Sequence, residues 1–586
     1  MTKETKTCQN CKQNFVIEEE DFDFYRKIDV PPPTWCPECR MIRRFMFRNE
    51  RAWYKSTCSA TGKKVLSMMA PDKGYTIYET NYYRSDAWDP LKYGRDYDFS
   101  RPFFAQFQEL FREIPHPNLI QKNNVNSDYS NHTLNLKNCY YCASCDAVED
   151  SAYLFTFMIK IQNSVDGHIC SEIERCYEVV DCYKSSNLRF CQSCEGCADS
   201  WLLYDCRNCV NCIGCVGLRS KQYCIFNKQY TKEEYQKEMG KLNLNSYLRL
   251  QSVRAEFEEL KKRVPRKFAD IIKSENAIGD DIRNSRNVRG FTIRQDAENV
   301  RYGYRVSASR DIWDGFVAWN GAELEYEVMS CQAQRTICSA LIWGGFDIKY
   351  SYNCFDCNNI FGCVGLRNKS YCILNKQYSK EGYEQLIPKI IEQMKTIPYR
   401  DTRGIEYGYG EFFPTEIAPF SYNETIAQDY FPKTKEEAAK LGYSWHEDAM
   451  RDYQVNMRNE ELPDSIKDVE DEILDKVVAC AHAGSNCKEL CAGAFKMIPF
   501  ELQFYRQMGV PLPRLCPSCR HFQRVKQKPP LKLYHRQCMC DYRVYKNTVK
   551  HNHHSQGRCP NEFETSYAPD RPEIVYCDQC YNTEIV

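Results

Sequence analysis

GCVGLRSKQYCIFNKQYTKEEY at 214–235 returns at 362–383 as GCVGLRNKSYCILNKQYSKEGY, a shift of 148 residues. Reading backward from each copy exposes a period of 12. Windows open at Asn287, Asn299, Asp311, Glu323, Arg335, Asp347 and Asn359 in the second array, and at Ser151, Asn163, Arg175, Asn187, Asp199 and Asn211 in the first. A polar residue opens most windows and a small or β-branched residue follows. Cys170, Cys182, Cys194 and Cys206 are themselves 12 apart, and the array cysteines favour window positions that elsewhere hold Val288, Val300, Ile312, Gly315, Ala318 and Ser330. Small and aliphatic types at a fixed offset predict the inside of a narrow β-solenoid, each coil stacking on the last. A reduced Cys serves there as a small hydrophobe. The windows are too short for a helix, and their Tyr, Phe, Trp and Val suit strands. The period leaves open whether 12 residues make one coil or half of a 24-residue coil.

Runs such as Cys191-x2-Cys194-x2-Cys197 and Cys206-x2-Cys209-x2-Cys212-x2-Cys215 also occur where iron–sulfur clusters or stored metals are held. The internal copy argues against that use. At +148, Cys206, Cys209, Cys215 and Cys224 recur as Cys354, Cys357, Cys363 and Cys372, but Cys191, Cys194, Cys197 and Cys212 become Ser339, Ile342, Gly345 and Ile360. A packed interior accepts those replacements and a cluster does not, so buried thiols are expected.

The ends of the chain carry a different cysteine pattern. Cys8-x2-Cys11 is followed after 24 residues by Cys36-x2-Cys39, and Cys487-x3-Cys491 after the same interval by Cys516-x2-Cys519. A shift of 480 superposes Phe15 on Phe495, Phe24-Tyr25-Arg26 on Phe504-Tyr505-Arg506, and Cys36-Pro37 on Cys516-Pro517. One module is used twice. Two short pairs bring four thiolates around Zn²⁺ in a closed structural site. With 35 cysteines and a start that lacks an apolar run behind a basic stub, a cytoplasmic, reduced chain is expected, in which such pairs mean metal more often than disulfide. Cys538, Cys540, Cys559, Cys577 and Cys580 supply one more four-coordinate zinc, with one of Cys538 and Cys540 spare. About three structural zinc ions are expected in all. The matching N-terminal stretch keeps Cys58 but has Thr61, Glu79 and Tyr82 in place of Cys559, Cys577 and Cys580, which predicts no metal there. His551, His553 and His554 read as a solvated loop, with substitution for a thiolate as the alternative.

The segments CQNCKQNF, DFYRKIDVPPPTWCPECR and FYRQMGVPLPRLCPSCR resemble zinc-ribbon or treble-clef modules. The order of parts is similar to that of a group of uncharacterised cysteine-rich proteins of candidate-phylum bacteria. The resemblance covers most of the chain and implies a fold, with no activity to carry over.

The fold class expected is therefore mainly β and multidomain: a duplicated β-solenoid with helical connectors, flanked by zinc modules. The divisions are 1–57, a zinc module; 58–120, a degenerate second module and linker; 121–228, the first array; 229–274, a helical hairpin; 275–376, the second array; 377–480, a helical and irregular connector; and 481–586, a double zinc module. Within the connector, PDSIKDVEDEILDKVVAC at 463–480 predicts an amphipathic helix with Ile466, Val469, Ile473 and Val477 on one face.

Lys plus Arg equals Asp plus Glu at 79 each, so an electrostatic partner must be met by a local patch. No stretch is apolar and long enough to span a bilayer. No nucleophile elbow, phosphate loop or His-Glu-x-x-His is present, and no catalytic residue, small-molecule substrate or enzymatic activity is expected. Two basic segments follow the zinc pairs, RMIRRFMFRNERAWYK at 40–55 and RHFQRVKQKPPLKLYHR at 520–536. Arg40, Arg43, Arg44, Arg48, Arg520, Arg524 and Lys526 could meet phosphates of RNA or a ribosomal surface, with aromatics stacking on bases. The alternative is a solvated helix face. The function expected is a zinc-binding scaffold or protein-docking protein whose contact face is the aromatic array surface. RNA or ribosome binding is the second reading, and metal storage or redox a third.

Overall fold

Polar residues at the 12-residue spacing form corners, at the window openings or, in the first coils, one residue before them. Asn138 has φ 53° and its side-chain amide donates to Asp150, 12 residues on, at 2.9 Å. Asn187 donates likewise to Asp199 at 2.6 Å and Asn299 to Asp311 at 3.0 Å, all four residues again at positive φ. Asn and Asp are the side chains that most readily enter this left-handed region as single residues, and they turn the chain at many of the corners, with Arg175 and Arg335 at others.

The computed structural model describes residues 3–318, 320–447, 454–484, 487, 489–544 and 549–585. The protein is mainly β and contains two 11-stranded sheets. One runs from Gln121–Lys122 to Lys228–Gln229, the other from Ile271–Ile272 to Lys376–Gln377. Apart from the last hairpin in each, neighbouring strands are parallel, and facing residues are commonly 12 apart: Cys212 faces Cys224, and Ile360 faces Cys372. The sequence period is thus the sheet register. Between 155 and 158 an irregularity shifts it by one.

Cysteine and serine share columns on the buried side. Ser200 donates its hydroxyl to Ala198 O and accepts the N–H of Cys212, and the Cys212 thiol in turn faces Val210 O at 3.5 Å. Ser185 and Cys197 repeat the relation, as do Ser339, Ser351 and Cys363. Each side chain answers a backbone carbonyl two residues back, and several of these carbonyls use their other lone pair on a backbone N–H, as Tyr183 O does with Gly196 N and Ile337 O with Tyr350 N.

The described chain divides into two compact units, one of 1–119 with 269–446, the other of 120–268 with 447–586. The first unit therefore joins the N-terminal modules to the second sheet. Within it, Phe103, Phe107 and Phe111 of the helix Phe103–Glu113 are buried, and Phe111 meets Tyr352 edge-on at 4.9 Å. The second unit joins the first sheet to the C-terminal modules and to the helical hairpin Lys232–Leu242 and Tyr247–Arg263, which buries Leu250, Val253 and Phe257.

The amphipathic helix predicted at 463–480 is corrected. The segment forms short 3₁₀ turns at Ile466–Asp468 and Asp471–Asp475, then the strand Val478–Ala479. Its polar groups are committed elsewhere. Ile466 N–H donates to Asn245 O, and the Asp464 carboxylate accepts from Ser246 Oγ and Leu248 N. Ile466, Val469 and Ile473 are still buried, three to four residues apart.

Candidate metal centres

Among the described residues one small motif occurs four times. A hairpin ends its first strand on a cysteine, whose sulfur accepts a backbone N–H from a residue far along the chain. Cys36 N donates to Cys8 Sγ, Glu79 N to Cys58 Sγ, Cys516 N to Cys480 Sγ and Cys577 N to Cys538 Sγ, each at 3.2 Å. The hairpins pair Glu4–Thr7 with Asn14–Ile17, Tyr54–Thr57 with Lys64–Ser67, Val478–Ala479 with Ala494–Phe495, and Tyr534–Gln537 with Glu562–Thr565. The donating residue opens or precedes a helix: Cys36 caps Pro37–Phe45 and Cys516 caps Pro517–Val525. A helix N-terminus favours a thiolate there.

Three of the four motifs assemble cysteines that could hold a metal ion: Cys8, Cys11, Cys36 and Cys39; Cys480, Cys491, Cys516 and Cys519; and Cys538, Cys559, Cys577 and Cys580. In each set the sulfurs lie within 4.8 Å of one another. Hydrogen bonds from Cys480 and Cys519 pull the Cys516 thiol down to about 2. Those from Cys36 and Cys39 draw Cys8 well below the usual thiol range, and those from Cys538 and Cys580 do so for Cys577. Each tetrad therefore favours a thiolate.

The second set corrects the ligands read from spacing. Cys480, not Cys487, occupies the place of Cys8: Cys480 N donates to Gly493 O as Cys8 N does to Gln13 O, and Ala481 N to Arg514 O as Gln9 N does to Thr34 O. Cys487 stands beside the set, 3.9 Å from Cys519 Sγ and 3.6 Å from His482 Nδ1. The loop from Cys480 to Cys491 is longer than its counterpart, so a second cysteine on it mimicked the short spacing. In the third set Cys538 is the member, and Cys540 belongs to a neighbouring group. Cys58 holds the hairpin position of Cys538, and Glu79 the position of Cys577.

His551 is not solvated, and His553 and His554 are half-buried on a loop whose other residues are largely exposed. His551 is 1 % exposed, with Nδ1 3.6 Å from Cys540 Sγ and Nε2 2.8 Å from Glu584 Oε1.

The arginines proposed for phosphate contact lie elsewhere than expected. Arg40, Arg43, Arg44 and Arg48 are buried, as are Arg520 and Arg524. In the first unit Arg40 pairs with Asp314 at 2.8 Å, and Arg43 reaches Glu327 at 2.7 Å and Glu411 at 2.9 Å. Arg44 meets Asp314 at 3.3 Å and Glu327 at 3.5 Å, and Arg48 meets Glu50 at 2.7 Å. In the second, Arg520 and Arg524 both pair with Asp166 at 2.7 Å, and Arg520 also reaches Glu501. Burial lowers the pKa of Arg40, yet Asp314 holds it well above the ordinary value. Lys526 alone keeps an exposed side chain, and it pairs with Glu489. Both the nucleic-acid contact and the solvated face are thereby corrected for the six arginines. The charges clamp each cysteine-bearing module onto the sheet of its own unit.

The aromatic face of the sheets is spent the same way. Phe24 stacks on Trp313 at 4.0 Å, Tyr25 meets Tyr326 at 5.6 Å, and Tyr505 meets Tyr177 at 5.4 Å. Inside the sheets, burial pushes the Cys142, Cys182, Cys194, Cys354 and Cys363 thiols well above the usual range and Cys357 up to about 11. These raised thiols stay protonated and donate to carbonyls, whereas hydrogen bonds from Cys197, Cys206 and Cys212 draw Cys209 well below the usual range. A metal would need them as thiolates.

No family model matches the chain, and no curated protein matches it. Among solved structures, a "putative acetyltransferase" from Desulfovibrio desulfuricans G20 is similar at 11% identity, over 50% of this chain and 77% of that chain, with a TM-score of 0.09. A likeness of that size carries no argument about fold or activity.

Proposed function

We propose that the protein is a non-enzymatic zinc scaffold. Each unit is a narrow β-solenoid, one coil per 12 residues, lined by reduced thiols and covered by modules that structural zinc holds in shape. The observation that carries this reading is the sharing of one hairpin-and-helix motif by the three cysteine tetrads. Four thiolates fill a tetrahedral ion and leave no position for substrate or water. The solenoid reading is supported by the register of 12 and by Asn–Asp ladders at repeated positive φ.

Docking is first of all internal, since the aromatic face meets the chain's own modules. What further partner the scaffold carries is a question for its remaining surface. RNA binding through the six arginines is not proposed, because a buried guanidinium paired at 2.7 to 3.5 Å cannot also reach a phosphate.

Elemental analysis of the purified chain tests the reading. Zinc bound at the tetrads, without iron, supports it, together with loss of the modules' protease resistance on chelation. A protein that holds iron in the arrays, or no metal at all, overturns it.

A further inference from the structure

The third tetrad has a second donor set against it. Cys540, His551, His554 and Cys580 place their ligand atoms within 4.8 Å of one another, and Cys580 also belongs to the set Cys538, Cys559, Cys577 and Cys580. Resting on the zinc reading above, we propose that the C-terminal module holds two zinc ions, with the Cys580 thiolate bridging them and Cys540, His551 and His554 completing the second site.

The distances fit a tetrahedron. Zn–S and Zn–N bonds of about 2.3 and 2.0 Å give edges of about 3.5 Å between sulfur and nitrogen and about 3.3 Å between nitrogens. Cys540 Sγ lies 3.6 Å from His551 Nδ1, His551 Nδ1 lies 3.2 Å from His554 Nε2, and His554 Nε2 lies 3.4 Å from Cys580 Sγ. The outer shell fits as well. His551 Nε2 is 2.8 Å from the Glu584 carboxylate, which fixes the proton there and leaves the Nδ1 lone pair for an ion. Cys580 and Glu584 are four residues apart on the helix Asp578–Ile585, so one helix face supplies both the bridge and the orienting carboxylate. The Tyr542 hydroxyl accepts the His551 N–H at 2.8 Å, and its ring packs on His551 and His554.

Charge and sequence point the same way. One divalent ion among four buried thiolates leaves two negative charges in excess. A second ion that brings one further thiolate and two neutral imidazoles reduces the excess to one. His553 Nε2, 3.2 Å from Cys580 Sγ and 3.4 Å from Cys559 Sγ, lies over the edge between those sulfurs and is placed to donate to them. The N-terminal copy of this module has Ala60 where Cys540 stands, and it lacks residues 541–558, which carry all three histidines. The ligands of the second site are thus present together or missing together.

The test is zinc counting on the intact chain by mass spectrometry, beside the absorption of the cobalt-substituted protein. Four ions per chain are expected, falling to three in His551→Ala/His554→Ala and in Cys540→Ser, with loss of the cobalt bands of a mixed sulfur and nitrogen site. His553→Ala should keep four. The wild-type count needs no variant to fold: three ions would overturn the second site and leave the scaffold reading intact, whereas no ions would overturn both. A count that falls in His553→Ala but not in His554→Ala would also overturn the assignment.

Discussion

Arg40 and Asp314 form the same ion pair as Arg520 and Asp166, at 2.8 and 2.7 Å, through two independent duplications. The arginines are related by the shift of 480 between modules and the aspartates by the shift of 148 between arrays. Arg44 and Arg524 repeat the relation on the same aspartates. Each module has therefore kept its own acid, far away in sequence.

Removing one partner of such a pair leaves a buried charge uncompensated, which costs about 3–5 kcal/mol. Arg40→Ala and Arg520→Ala are each expected to cost that much, measured by denaturant unfolding with limited proteolysis to locate the loss. Arg40→Lys should recover little, because a lysine cannot reproduce the guanidinium fork that spans Trp35 O and Asp314. Changes below about 1 kcal/mol, typical of exposed pairs, would show that these charges are solvated after all.

Cys480→Ser is expected to lower the bound zinc by one ion, and Cys487→Ser to leave the count unchanged. Metal analysis of the two variants decides between them. The reverse outcome would restore the ligand set read from spacing.

In the arrays, Cys197→Ser should be mild, within about 1.5 kcal/mol, because Ser185 already fills the same column and donates to the carbonyl two residues back. Cys197→Met should cost about 1–3 kcal/mol by overpacking a site already closed to solvent. The wild-type array thiols should also resist a maleimide until the protein unfolds, as counted by intact mass.

His116 gives the first unit a pH dependence. Its ring is fully buried among Tyr75, Phe111 and Tyr352, with Nε2 on Phe111 O at 2.8 Å, and burial lowers its pKa from 6.5 to about 4. Between those values the unfolded chain binds a proton that the folded one refuses. The contribution is whole above pH 6.5 and drains away as pH falls toward 4, by about 2 kcal/mol at pH 5. Comparison with His116→Gln removes acid effects common to both proteins, loss of any bound metal included. The wild type's stability relative to the variant should fall by that amount between pH 7 and pH 5, and a constant difference would refute the assignment.

The sequence showed the 12-residue period plainly, because stacking repeats one environment at one offset and Asn138, Asn187 and Asn299 must each turn the chain there. It showed the first and third tetrads for the same local reason. It concealed Cys480, since the pair Cys487 and Cys491 reproduced the familiar count while the backbone contacts that identify Cys480 lie at Gly493 and Arg514. It also concealed what the arginines do. A helix such as RMIRRF looks the same whether its charges meet water, phosphate or acids hundreds of residues away. The available signal was Asp166 and Asp314, acids related by the array shift of 148 just as the arginines are by the module shift of 480. The His551 loop was missed because its acid partner, Glu584, stands 33 residues away.

The crossing of modules and sheets has a consequence for biosynthesis. Arg40 must wait for an acid 274 residues downstream, and Asp166 for an arginine 354 residues downstream. Contacts of such separation make for slow folding and leave apolar surface open meanwhile. The first sheet emerges early and the helical hairpin that follows it covers part of its aromatic face, but Tyr177 meets Tyr505 only when the C-terminal modules have been made. During translation a growing chain thus carries a finished ladder with a half-covered aromatic face, and a premature stop before those modules would leave the rest of that face uncovered for good.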